Sequence, residues 1–362
     1  MLSPLRLKRF WLWQLLLAGL STSLCLVPLF NLLGYEFSLA LALGGSLAGL
    51  HLGSVYMADA RRRDLGMLLA LRGGPSALLI LAARATVANL SLLALPLLII
   101  CLNALRVKNC DLLEGLLFFF VLPTLSMIIA SVTGTLWGTL TSRPWLATLG
   151  ALLTLLGSVS WGLYRFMDAP AIFAYDPFVG YFPGAMYDET VSVSSTLLLY
   201  RLHNLAWLAG ALLLAAALFE PLDLRLRLLV RPRRWWPLLA AAPCLLVGLG
   251  LFLLRGEIGF AISADQVAAE LGGVRKTEHF TIHFPDEMEK ADVDLLARDH
   301  EFRYAQLKAY LGLAPPTIRS FIFASSTQKQ RLMGAGRTFI AKPWRGEVYL
   351  QDMGFPHAVL KH

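Results

Sequence analysis

RPRRWWPLLAAAPCLLVGLGLFLLRGEIGFAISADQVAAELGGVRKTEHFTIHF, residues 231–284, holds the point at which the chain changes character. Residues 237–254 form an uncharged run of 18, about the number needed to cross a hydrocarbon core of roughly 30 Å as a helix. From Arg255 onward charges return every few residues, and by His279 the pattern alternates apolar and polar in the manner of a strand.

Working outward, the two sides of this boundary are unlike. Of the 56 Lys, Arg, Asp and Glu residues, 29 lie in residues 1–254 and 27 in the much shorter remainder, so the charged fraction rises from 11% to 25%. The second figure is that of a soluble domain; the average of 15%, with 57% hydrophobic residues and mean hydropathy +0.61, excludes a cytosolic globule for the whole. The net charge of +8 divides as +7 and +1, so the basic excess belongs to the apolar part. A nucleic-acid footprint would place it on the soluble part, and that class of partner is set aside. Cys25, Cys101, Cys110 and Cys244 all precede residue 255, so neither a disulfide framework nor a cysteine zinc site is available beyond it.

Apolar runs near 10–33, 38–58, 76–103, 112–140, 144–164, 195–219 and 237–254 predict about seven transmembrane helices. The first run is too long for a signal peptide and lacks a small-x-small cleavage site, so it reads as a signal anchor. With the N-terminus inside, the inner segments carry thirteen Lys and Arg residues and the outer loops three, Arg106, Lys108 and Arg165, which follows the positive-inside rule. The expected topology is N-in and C-out, with residues 255–362 extracytoplasmic; a re-entrant 237–254, which contains Pro237 and Pro243, would place them in the cytosol instead. Polar residues within the runs, His51, Arg84, Asn89, Arg201, His203 and Asn204, are expected to bond between helices, with Arg84 and Arg201 able to snorkel to the interfaces. The outer segment 167–195, rich in aromatics, Pro and Gly with four acids, is expected to lie on the membrane surface or cap the bundle.

Residues 255–273 read as a linker with a short helix near 263–271, and residues 274–362 as an α+β domain. His279–Phe284 is a strand with Phe280, Ile282 and Phe284 on one face. A long helix capped near Asp286 runs to Leu311 and stops at Gly312; Ser320–Ala324 is a buried strand; Thr338–Ala341 and Gly346–Gln351 form a hairpin around KPWRG; and Pro356 opens a final helix. His279 and His283 lie four apart on a strand, roughly 13 Å, and cannot share a metal. They and His300 read as surface or packing residues.

Two resemblances follow from these residues. DARRRDLGMLLALRGGPSALLILAA, residues 59–83, resembles the first intracellular loop of type 2 ABC exporter permeases. That implies a coupling helix carrying Arg61, Arg62, Arg63 and Asp64 against a cytoplasmic ABC ATPase subunit; a charged turn that only anchors topology is the alternative. The order strand, long helix, strand, hairpin and the opening PHAVLKH resembles the start of a gluzincin, the aminopeptidase N-like or peptidase MA-like zinc metallopeptidases. By that resemblance Gly346, Glu347, Val348 and Tyr349 belong to the edge strand lining the peptide cleft and His362 is the first zinc-ligating histidine. The Glu that would act as general base lies beyond the chain end, and the glycine-rich motif ending in Glu-Asn is missing.

The chain therefore reads as a truncated, membrane-anchored metallopeptidase-like protein of the bacterial inner membrane. Its zinc and peptide hydrolysis are expected only in a longer form, and the 362-residue chain is expected to be inactive. The alternative is the permease subunit of an ABC-type exporter with an extracytoplasmic substrate-recognition domain, and a third reading is an anchor presenting a binding module.

Overall fold

The computed structural model describes residues 8–63, 76–109, 111–183, 191–227, 235–312, 317–355, 357 and 360. They form two compact units, one of residues 1–162, 175–182 and 191–254, the other of 163–174, 183–190 and 255–362.

The first unit is helical: α1 (Lys8–Leu24), α2 (Tyr35–Arg62), α3 (Ser76–Leu90), α4 (Ala94–Asn103), α5 (Leu112–Phe119), α6 (Leu125–Leu140), α7 (Pro144–Asp168), whose last turn belongs to the second unit, α8 (Ser195–Ala217) and α9 (Trp236–Leu253). A 3-10 turn joins α3 to α4 and a π turn at Phe120–Thr124 joins α5 to α6. Among the described residues, six helical stretches are long and apolar enough to span a bilayer: Tyr35–Arg62, Ala77–Asn103, Leu112–Leu140, Pro144–Asp168, Ser195–Ala217 and Trp236–Leu253. Leu15, Leu98, Leu153 and Leu239 are exposed on these and the first helix, a surface that suits hydrocarbon rather than water, and the protein is membrane-embedded.

The first apolar run differs from expectation. Its helix has 17 residues rather than continuing to residue 33, because Pro28 has no amide to donate and disfavours helix at Val27. Just before the stop, the hydroxyls of Ser21, Thr22 and Ser23 donate back to the carbonyls of Leu17, Ala18 and Gly19.

Helices α2 and α6 pack most closely, through small residues at four-residue spacing: Gly45, Gly49 and Gly53 on one, Gly134 and Gly138 on the other. A methyl group at Gly134 would lie 2.3 Å from the Leu50 carbonyl oxygen, and one at Gly53 would lie 2.5 Å from that of Ser131. Gly134→Ala is therefore expected to destabilise the bundle by about 2 kcal/mol, the scale of core overpacking. Gly157→Ala, where nothing lies within 4 Å, should leave the thermal midpoint in detergent unchanged. Equal midpoints for both variants would refute this packing.

Residues 175–182 contribute a cap to this unit. Strands β1 (Ala174–Asp176) and β2 (Gly180–Phe182) pair, and Asp176 Oδ1 closes their turn by accepting from the amides of Phe178 and Val179, both at 2.8 Å. Ser46 donates to the Phe178 carbonyl at 2.7 Å and Tyr35 to that of Tyr181 at 2.9 Å. Arg201 does not snorkel: it is 1% exposed and donates to the Pro177 carbonyl at 2.8 Å and Ser126 Oγ at 3.0 Å, because the turn offers its fork a nearer acceptor than water. His203 bonds the Gly248 carbonyl between α8 and α9, and Asn89 donates to Ser131 between α3 and α6. A second small ladder, β3 (Phe219–Glu220) with β4 (Arg225–Leu226), follows α8.

The second unit opens with α10 (Arg255–Ile258) and α11 (Ala264–Leu271), followed by β5 (Gly272–Lys276), β6 (Phe280–Pro285), α12 (Lys290–Leu311), β7 (Ile318–Phe323), α13 (Ser326–Met333), β8 (Ile340–Lys342) and β9 (Glu347–Gln351). The sheet order is β5-β6-β7-β9-β8, with β6, β7 and β9 parallel and the two edge strands antiparallel to their neighbours. Residues 255–273 are not a bare linker. Ser263 and Gln266 form a capping box on α11, whose Val267 and Leu271 join Phe321, Phe323 and Tyr349 in the core on one face of the sheet. Phe280, Ile282, Ile322 and Leu350 meet α12 on the other face.

Helix α12 starts at Lys290, not at Asp286, whose amide is taken by the Leu271 carbonyl. It ends at Gly312 in the left-handed region, φ 66°. Of the expected final helix, residues 356–362, only His357 and Leu360 are described, with the Leu360 amide bonding the His357 carbonyl at 3.1 Å; the rest lies outside the described residues.

Candidate functional site

In open α/β sheets, ligands bind beyond the carboxyl ends of the parallel strands. Here β9 ends at Gln351, the amide of Asp352 bonds the Phe323 carbonyl at 2.8 Å, and Asp352 Oδ1 accepts from the Gly354 amide at 3.0 Å. Gly354 has φ 68°, a value that lets the chain reverse without a Cβ clash. The reversal delivers His357 to α12, where its Nδ1 lies 2.7 Å from Asp299 Oδ2, both side chains mostly buried. With Nδ1–H donated to the carboxylate, Nε2 is left as the lone-pair nitrogen, able to accept a hydrogen bond from a polar ligand. A cavity of about 20 Å³ adjoins the pair, lined by Leu296, Ile322, Leu350, Met353 and His357, with room for about one water.

The opposite end of the sheet carries a charged cluster. Glu347, 2% exposed, accepts from Arg345 Nε at 2.7 Å and from the Tyr349 hydroxyl at 2.7 Å, with Arg319 Nη1 at 3.6 Å. Arg345 also pairs with Asp168, the last residue of α7. The Glu347 carboxylate holds the Arg345 guanidinium above its ordinary pKa, while burial first and Glu347 second push the Tyr349 phenol up. Beside them the Lys342 ammonium meets the carbonyls of Phe166, Ala169 and Ala171, closing the end of α7, and burial lowers its pKa to about 8.

The residues singled out by resemblance are distributed as follows. Gly346, φ 62°, ends the Pro343–Arg345 turn, and Glu347 and Tyr349 are buried in the cluster just described; Gly346 and Val348 are half-buried. Their strand is not an edge strand, since it pairs with β7 and β8, and the edge on this side is β8. Arg61 is half-buried and donates to the carbonyls of Thr141, Gly138 and Leu224. Arg62 is exposed and Arg63 pairs with Asp59 at 3.3 Å; Asp64 and His362 lie outside the described residues.

Among the described residues no three His, Cys, Asp or Glu side chains converge, and His362, the ligand that the resemblance implies, lies outside them. His300 bonds the Leu296 carbonyl and Ser320, His279 pairs with Glu301, and His283 stacks on Phe321. Asp299 carried no signal in the sequence, because its partner is 58 positions away. The chain matches no protein-family model, no curated protein and no solved structure.

Proposed function

We propose that the protein is a multi-pass bacterial inner-membrane protein presenting a metallopeptidase-like, peptide-binding α/β domain on the extracytoplasmic side. The observation that supports this reading is the clamp at the carboxyl ends of β7 and β9, where Asp352 and Gly354 turn the chain so that Asp299 orients His357 beside the cavity. That is the crevice in which sheets of this topology take ligands. The short antiparallel edge strand β8 is the kind of element along which an extended peptide adds as a further strand.

The test uses the intact protein in lipid nanodiscs and a fluorescent library of random extended peptides, read by polarisation. Saturable binding is expected, with Asp299→Asn and His357→Ala each weakening it about tenfold, the scale of one charge-assisted hydrogen bond. Absence of binding by any peptide, together with stoichiometric recovery of an ATPase subunit, would overturn it in favour of a transport subunit. In that second reading Arg62, exposed at the end of α2, is the arginine of the 59–83 loop best placed to meet the ATPase.

A further inference from the structure

Helix α12 is longer than the sheet it packs on. Its 22 residues extend about 33 Å, whereas the six residues of β7 extend about 20 Å. The mismatch is visible in burial: Val293, Leu296, Ala297, His300 and Tyr304 are buried, but every residue from Ala305 to Gly312 is exposed. Two turns of helix therefore project past the sheet.

Topology fixes the end at which they project. Because β6 and β7 are parallel and α12 connects them, α12 runs back from the carboxyl ends of the strands to their amino ends. At the amino end of β7, Arg319 registers with Glu347, Glu347 binds Arg345, and Arg345 binds Asp168 at the end of α7. The overhang thus emerges at the end of the sheet that binds the last residues of α7, which belong to this same unit.

The overhang also has the composition of an interfacial segment. In AQLKAYL, residues 305–311, Lys308 is the single charge and there is no acid. Tyr310 is 86% exposed and Leu311 57%, with Leu307 also in solvent. At the same end, in the Pro343–Arg345 turn next to Asp168, Trp344 is 60% exposed. Tyr and Trp rings with a lysine are favoured at headgroup depth, where one end of each ring is apolar and the other wet.

We propose that the overhanging end of α12, through Leu307, Lys308, Tyr310 and Leu311, together with Trp344, rests in the interfacial layer of an anionic lipid bilayer. The second unit is thereby held to the membrane surface as well as by its covalent connections, with its His357–Asp299 end directed away from the lipid. This rests on the membrane-embedded reading and is independent of what the His357–Asp299 crevice binds.

The experiment uses the full chain with its four cysteines replaced, in nanodiscs of phosphatidylcholine and phosphatidylglycerol, carrying an environment-sensitive fluorophore at Tyr310→Cys. Leu311→Cys provides a second position should the first disturb folding, and Met353→Cys, 65% exposed beyond the opposite end of β9, is the reference. Blue-shifted emission at 310 or 311, quenched at least about twofold more than at 353 by headgroup-region spin-labelled lipid, is expected of an interfacial helix end. Emission as from water, or a blue shift that lipid quenchers do not reach, would overturn the proposal, the latter because it marks a protein partner in place of lipid.

Discussion

Arg201→Ala is expected to cost the helical unit about 3 kcal/mol or more, the scale of losing several charge-assisted hydrogen bonds and a buried side chain at once. Arg201 joins three elements: its fork reaches Pro177 in the β1–β2 turn and Ser126 and Leu122 in the π turn and first turn of α6. Those acceptors exist for local reasons. Pro123 cannot donate to the Phe119 carbonyl, Thr124 Oγ1 does so instead at 3.1 Å, and the widened π turn leaves the Leu122 carbonyl facing α8. Without Arg201 the Pro177 carbonyl and Ser126 Oγ lose its guanidinium in a medium that supplies no substitute, while the Leu122 carbonyl keeps only the Leu125 amide. The readouts are the thermal midpoint in detergent and the accessibility of a cysteine placed at Val179. Arg201→Lys separates the two readings of this residue: a snorkelling side chain would tolerate lysine, whereas a planar fork spanning two elements would not. A lysine variant as stable as the parent would sink the fork assignment.

His300 should make the second unit acid-sensitive in a defined window. Its ring is 1% exposed, with Nδ1–H donated to the Leu296 carbonyl at 2.8 Å and Nε2 accepting from the Ser320 hydroxyl at 2.9 Å, so the neutral imidazole is fully satisfied. Burial, the main cause, lowers its pKa to about 4 from 6.5. The unfolded chain therefore binds the proton more readily than the folded one between those values, and the His300 contribution is complete above pH 6.5 and lost as pH falls towards 4. Its size is about 3 kcal/mol, at roughly 1.4 kcal/mol for each unit of pKa difference. Chemical unfolding of the unit in nanodiscs at pH 7, 6, 5 and 4 should show this slope, and His300→Gln should remove it while lowering stability at pH 7. A variant with the parent's slope would assign the acid sensitivity to other groups.

What could be read from the sequence was what depends on neighbours in the chain. The apolar runs announced the helices, and the alternation of Phe280, Ile282 and Phe284 announced β6. Helix α13 was missed although a local signal existed. Its residues STQKQRLM are too polar to show an apolar stripe, but Ser325 caps the Gln328 amide and Gln328 reaches back to Ala324, an S-x-x-Q box. The sheet order was not readable, because β9 lies between β7 and β8 only after a crossover, and a strand at the edge and a strand one place in carry the same alternation. The pairs that define the candidate site and the charged cluster were hidden for the same reason: His357 and Asp299 are 58 positions apart, and Lys342 and Phe166 are 176.

That last separation sets a timetable. The carbonyls of Phe166, Ala169 and Ala171 are synthesised before α8 and α9, yet the ammonium that satisfies them arrives only with Lys342, roughly 90 residues after the last apolar helix. At ribosomal rates this is an interval on the order of ten seconds. During it the end of α7 must be wetted by solvent or guarded by a chaperone, and the emergence of the β8–β9 hairpin is the event that ends the wait.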